Sequence, residues 1–359
     1  MRIGLVIYGS LTTLTGGYLY DRILVDYLTS HGHSVRVFSL NFRGYPGNLL
    51  HNISFSFLKS LAQAELDIVI QDELNHPSLF WLNRKLKKRT SYPVISIVHH
   101  LRCSELRPSW QNALYRYVER AYLSTLDGFV FNSRTTRTSV ENLLGTSVPS
   151  VIAYPGCDRV RPSISADEIR RRAIQEGPLQ VLFVGSLIPR KELHTLVAAL
   201  GLLQDYLVRL DVVGSPDTDP RYAASVRKKI RNLGLESRIS LHGTVTGAKL
   251  EQLYAHSHVL AVPSSYEGFG IVYLEGMGFG LPAIAGNVGA AHEIVTHGET
   301  GFLLKPGDAQ SLAAVLEDLA QNRDRLADMG VAAQKRFSEH PTWEQSCEKI
   351  MVFLNNMVK

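Results

Sequence analysis

Two carboxylates, Glu267 and Glu275, stand apart with seven residues between them, among them Gly268, Phe269 and Gly270. The apolar run Val259–Val262 precedes them, and Pro282 to Ala285 follows. This pattern predicts strand, loop, helix and strand. A loop that leaves a strand and opens into a helix presents unpaired backbone N–H groups, a ready site for an anion. Carboxylates beside such a site suit hydroxyl groups rather than phosphate. Phosphate and many hydroxyls together describe a nucleotide-sugar. The spacing puts Glu267 in the loop and Glu275 about one and a half turns into the helix. They do not stack as an acid/base pair, so they serve different parts of one ligand. Val272, Tyr273, Leu274 and Met277 surround Glu275 with apolar side chains, which predicts partial burial and a need for partners. The plainer reading is a loop glutamate and a surface helix glutamate.

Other candidates also follow apolar runs. After Val181–Val184 come Arg190 and Lys191, then a helical pattern. Cations at a helix start oppose the helix dipole. An anionic ligand, most simply a diphosphate, would account for them. After Arg2–Tyr8, Gly16 and Gly17 allow close approach of a phosphate to a helix N-terminus. They do not form the G-x-G-x-x-G fingerprint, and no acid ends the second run, Val35–Ser39. Both points weigh against NAD. After Val94–Val98 come His99 and His100. A histidine there can donate to a sugar hydroxyl or a phosphate, or move a proton.

Ligands of open parallel sheets bind beyond the carboxyl ends of the strands, so the elements matter. Short apolar runs alternate with helical patterns along the chain, giving βαβ units and parallel sheets covered on both faces. The first set is Arg2–Tyr8, Val35–Ser39, Asp67–Ile70, Val94–Val98, Gly128–Phe131 and Val148–Tyr154. A break at Pro155, Gly156 and Pro162 follows. The second set is Val181–Val184, Val208–Val213, Ile239–His242, Val259–Val262, Ala283–Ala285 and Phe302–Leu304. Two Rossmann-like domains are expected, 1–160 and 161–341, with the amphipathic helix 342–359 returning to the first.

The 359 residues suffice for two full cores. A net charge of +5 suits nucleotides, nucleic acid or an anionic membrane and decides among none. Three cysteines without C-x-x-C spacing argue against a disulfide framework or structural zinc and fit a reducing cytosol. No run of about 18 apolar residues is present to span a membrane.

These residues resemble a family. Glu267 and Glu275 with Gly268-Phe269-Gly270 resemble the E-x7-E motif of retaining GT-B glycosyltransferases, most closely family 4. The likeness extends to Gly16-Gly17, to His99, and to Tyr154-Pro155-Gly156 with Asp158. It continues through Gly289 to Glu293, Gly298 to Phe302, and Pro306 to Asp308. It implies a two-lobed α/β enzyme whose cleft holds a nucleoside-diphosphate sugar, with an N-terminal acceptor domain and a C-terminal donor domain. Arg190 and Lys191 then hold the diphosphate, and Glu275 accepts ribose hydroxyls. Glu267 holds the donor sugar, with the N–H groups of Phe269 and Gly270 nearby. His99 lies by the transferred sugar, and the segment at Thr244 and Val245 meets the base. One departure stands out. Ser186 occupies the position where many members carry arginine, and Glu192 replaces the glycine after the lysine.

The reaction implied is hexose transfer with retention, without a metal or other cofactor and without a carboxylate nucleophile. A retaining glycosidase needs carboxyls about 5 Å apart across the sugar, which this loop-and-helix placement does not supply. A glycoside phosphorylase, an epimerase, or a degenerate binding subunit remain alternatives. Donors of the UDP- or GDP-sugar type are expected; the acceptor is set by loops such as 41–52 and 101–110. Arg84 to Arg89 beside Trp81, and Trp110, Tyr115 and Tyr117 with Arg116 and Arg120, suit an anionic bilayer face. The plainer reading puts those aromatics in the core. The expected location is cytoplasmic, with peripheral contact to the inner face of the membrane. No recognition motif or dense basic stripe points to nucleic acid.

Overall fold

The computed structural model describes residues 1–13, 16–105, 107–157, 160, 162–204 and 207–358. The chain divides into two compact units, Met1–Gly156 with Pro341–Lys359, and Cys157–His340. Each contains one six-stranded, fully parallel sheet. Asp158 lies outside the described residues.

The first sheet is built from β1 (Arg2–Tyr8), β2 (Ser34–Leu40), β3 (Ile68–Asp72), β4 (Val94–Val98), β5 (Gly128–Phe131) and β6 (Ser150–Ile152). Its order is β2-β1-β3-β4-β5-β6. The inner strands β3, β4 and β5 are buried at every residue, as a sheet covered on both faces requires. The order reverses between β1 and β3. The terminal helix Trp343–Val358 belongs to this unit and packs on the Gly16–Ser30 helix. A Cβ at Gly156 would come within 2.4 Å of the Trp343 backbone nitrogen, so glycine is what lets that helix dock.

The second sheet comprises β7 (Leu179–Val184), β8 (Val208–Val213), β9 (Ile239–Gly243), β10 (Val259–Val262), β11 (Ala283–Gly286) and β12 (Gly301–Leu304). Its order is β12-β11-β10-β7-β8-β9, which reverses between β7 and β10. In such sheets a crevice opens at the reversal, beyond the carboxyl ends of the two strands. The loops after β7 and β10 carry Arg190, Lys191 and Glu267.

Candidate functional site

The loop after β10 is tied to the loop after β7. The Ser265 amide donates to the Arg190 carbonyl at 2.8 Å, and the Arg190 guanidinium donates to the Tyr266 carbonyl at 2.7 Å. Lys191 Nζ donates to Glu267 Oε2 at 2.6 Å, with both side chains only 12% exposed. Ser264 Oγ donates to the same oxygen at 3.2 Å, and Arg190 Nη1 stands 3.8 Å from Glu267 Oε1. Burial alone would push the Glu267 carboxyl up. The charges of Lys191 and Arg190 outweigh it and hold the carboxyl below its usual range. Burial lowers the Lys191 ammonium, against the pull of Glu267. The group is two cations and one carboxylate at the reversal of the sheet, with net positive charge.

Glycines shape this loop. Gly270, at φ 99°, caps the Ile271–Gly278 helix. A Cβ there would meet the Tyr273 ring at 2.5 Å. Gly289 has φ 63°, and its Cβ would lie 2.1 Å from the Glu267 carbonyl oxygen. That carbonyl accepts from the Ala290 amide at 2.9 Å. The segment from Gly289 to Glu293 therefore braces the Glu267 backbone. Gly268 and Phe269 complete the loop, with Phe269 buried. Val245, half-buried, follows β9 ahead of the Ala248–His256 helix.

Two expectations change. Arg190 and Lys191 lie in a short 3-10 turn, Pro189–Lys191, ahead of the Leu193–Leu200 helix rather than at its start. Glu192 is the N-cap of that helix, and its carboxylate accepts from the Thr195 hydroxyl, so the dipole meets an acid and not a cation. Glu192 is held at φ 56°, a left-handed position that glycine takes without strain. Among the described residues it is the single non-glycine there. Glu275 is fully buried rather than partly. Its Oε2 accepts from the Tyr254 hydroxyl at 2.9 Å, which supplies the partner that burial demands. Tyr254, 21 positions away, carries no sequence signal for this role.

In the first unit, His99 follows β4, and its ring lies against Gly17, where a Cβ would come within 3.3 Å. The space at Gly16 is open. Two carboxylates missing from the sequence reading lie behind the imidazole. Asp21 Oδ1 is 3.9 Å from His99 Nε2, and Asp72 ends β3. Asp21 follows Gly17 by one helical turn, a spacing that could have revealed it. Both Asp21 oxygens, Asp72 Oδ2 and His99 Nε2 are buried without a hydrogen-bond partner. Burial pushes Asp21 up to about 7; burial, aided by the charge of Asp21, does the same for Asp72. Burial pushes the adjacent Glu73 up to about 8 and lowers His99.

Ligand atoms of Asp21, Asp72 and His99 lie within 4.8 Å of one another, as do those of Glu73, His76 and Glu119. Either set could hold a cation. Asp21 and Asp72 can equally share a proton.

The proton reading has a measurable consequence. The folded chain keeps protons on Asp21, Asp72 and Glu73 that the unfolded chain gives up near pH 4. The stability this provides is present at low pH and is lost as pH rises through about 7 to 8. His76 and His99, lowered by burial, act in the opposite sense only below about pH 6.5. Thermal melts should show a lower midpoint at pH ~8.5 than at pH ~6.5, and Asp21→Asn should flatten that slope. An unchanged slope in the variant would contradict the shared-proton account.

Comparison with known proteins bears on the whole chain. Residues 165–336 match the family described as glycosyl transferases group 1, and residues 22–161 match glycosyltransferase family 4. The chain belongs to the GT-B family 4 glycosyltransferases. A GDP-mannose-dependent alpha-(1-6)-phosphatidylinositol monomannoside mannosyltransferase of Mycobacterium tuberculosis is 31% identical over 242 residues, 64% of this chain and 61% of that protein. The match thus spans less than two thirds of that relative. A D-inositol 3-phosphate glycosyltransferase of Rhodococcus erythropolis is 25% identical over 339 residues, 85% of this chain and 76% of that protein. Among solved structures, sucrose-phosphate synthase of Thermosynechococcus elongatus superposes with a TM-score of 0.82 at 21% identity, covering 99% of this chain and 98% of that one. The family fold accounts for both sheets.

Proposed function

We propose that the chain transfers a hexose from a nucleoside-diphosphate sugar to an acceptor hydroxyl with retention of configuration. The observation that carries this reading is the buried Lys191–Glu267 pair beside Arg190, at the reversal of the second sheet. A diphosphate supplies the anion for Lys191 and Arg190, and sugar hydroxyls supply the donors for Glu267. Glu275 takes the ribose, Val245 and Thr244 the base, and His99 the transferred sugar. The bond from the anomeric carbon to the phosphate oxygen breaks, and the acceptor oxygen bonds to that carbon. The acceptor's proton passes to the departing phosphate. The protein positions the partners and stabilises the leaving charge, with no metal required.

GDP-mannose, named for the M. tuberculosis relative, is the first donor to test, and UDP-glucose the second. A correct donor at ~100 times its Kd should stabilise the chain by about 2.7 kcal/mol in a thermal-shift assay. No stabilisation by any UDP-, GDP- or ADP-sugar would contradict the reading.

The first unit is also assigned an anionic membrane surface. No helix among the described residues is long and apolar enough to cross a membrane. Leu50, Ile53, Phe55 and Trp81 are more than half exposed. The Trp81 amide donates to Asn52, joining Trp81 to the Leu49–Ile53 turn. Lys85 lies over the Trp81 ring and Arg89 over Phe55. Trp110 and Tyr117 are exposed as well, beside Arg116 and Arg120. Apolar side chains flanked by cations suit an anionic bilayer. Co-sedimentation with anionic liposomes should be strong at low salt and weak at high salt. Binding absent at both would remove the assignment.

A further inference from the structure

A cavity of about 460 Å³ lies wholly within the first unit, at the reversal between β1 and β3. Tyr8, Tyr18, Phe42 and Tyr45 supply aromatic walls. Phe42 is 69% exposed and meets Tyr8 edge-on. Glu73 and His76, both nearly inaccessible, lie at its inner side. His76 Nε2 is 3.2 Å from the Tyr45 hydroxyl.

The charge in this cavity is uneven. Glu105 is satisfied, since His100 and Arg107 both bond its carboxylate. Arg102 is not. Its guanidinium sits over two rings, 5.1 Å from the Tyr45 centroid and 4.8 Å from that of Tyr115. Its Nε is buried without a partner, and no carboxylate pairs with its side chain among the described residues. Glu119 holds the segment from below, accepting from the backbone amides of Arg102 and Cys103 at 2.5 and 3.1 Å. An arginine stacked on aromatic faces keeps its N–H edge free for a planar or tetrahedral anion. Ordering its long side chain in advance removes an entropic cost of binding. Rings present faces to a sugar-like ring, and His76, held between Glu73 and the Tyr45 hydroxyl, fixes the inner wall.

We propose that this cavity binds a hydroxylated ring carrying a phosphate, with Arg102 gripping the phosphate and the aromatic walls holding the ring. If the transfer reading is right, this ligand is the acceptor; the proposal rests on that reading only for the name of its role. The same chemistry could come from a soluble sugar phosphate or from a lipid head group.

The test is calorimetric and uses no nucleotide-sugar, so failure of the transfer reading leaves its outcome interpretable. The probes are glucose 6-phosphate, inositol 1-phosphate, the corresponding unphosphorylated ring compounds, and inorganic phosphate. At least one ring phosphate should bind tenfold or more tightly than its unphosphorylated form and than inorganic phosphate. Arg102→Ala should weaken that binding tenfold or more, and Arg102→Lys should recover part of it. Lys191→Ala should bind it like the unmodified chain. Circular dichroism melts establish that each variant folds, and Phe42→Ala, at an exposed position, gives a second reading if Arg102→Ala does not. Vesicles of phosphatidylinositol and of phosphatidylglycerol at equal charge separate the sources. An Arg102-dependent preference for the former assigns a lipid head group; no preference, with soluble binding retained, assigns a soluble phosphate. Absence of binding by both ring phosphates and vesicles, or binding that is lost in Lys191→Ala but not in Arg102→Ala, overturns the proposal.

Discussion

Lys191→Ala lowers kcat/KM for nucleotide-sugar turnover by ~10²-fold or more, the scale of a lost contact to charge developing in a transition state. The structure gives the substitution a second effect. Lys191 and Glu267 are bonded at 2.6 Å and mostly shielded from water. Removing one partner of a buried pair costs about 3–5 kcal/mol, because the remaining charge is stranded. Arg190, 3.8 Å from the other oxygen of Glu267, and Ser264 retain part of the compensation. The low end of that range is therefore expected, with the Glu267 carboxyl moving up in pKa. Lys191→Arg separates the effects: it keeps the charge and most of the stability, yet misplaces the donor nitrogen and still loses turnover. Steady-state kinetics with denaturant unfolding measures both. Turnover unchanged in Lys191→Ala would remove the lysine from the chemistry.

Gly289→Ala is expected to be nearly as damaging without touching any charged group. The added carbon would stand 2.1 Å from the Glu267 carbonyl oxygen and 3.0 Å from its amide nitrogen, both backbone atoms that cannot swing aside. The residue also sits at φ 63°, where an L side chain costs about 1 kcal/mol. The loop that carries Glu267 must shift, breaking the bond from Ala290. A loss of roughly 3 kcal/mol or more places this among substitutions acting through backbone strain. Gly298→Ala is the control. Gly298 has φ 81° with open space around it, so only the backbone cost of about 1 kcal/mol applies. Equal melting temperatures for the two variants would show that Gly289 does not brace the loop.

The strands were legible where an inner strand buried on both faces reads as an unbroken apolar run, as in Val259–Val262. The rule fails where polar residues occupy such a strand. Reading β3 as ending at Ile70 left out Gln71 and Asp72, which are buried at its carboxyl end. That cost the sequence reading one member of the acidic group behind His99. Lys191 and Glu267 were legible as separate candidates, but their bond spans 76 positions and depends on β7 and β10 lying side by side. The Tyr254 bond to Glu275 and the stacking of Arg102 on Tyr45 and Tyr115 are tertiary in the same sense. No periodicity encodes them. Residue types alone put the cations before the Leu193–Leu200 helix at its start, against its dipole, because they do not encode the 3-10 turn or the left-handed Glu192.

The central claim is that the second unit holds a diphosphate between Arg190, Lys191 and the loop of Glu267. A crystal structure with the better of GDP-mannose and UDP-glucose tests it most directly. The account predicts diphosphate oxygens within hydrogen-bonding distance of Lys191 Nζ, with the sugar's hydroxyls on Glu267. A diphosphate bound elsewhere, with the Lys191–Glu267 pair undisturbed, would contradict it.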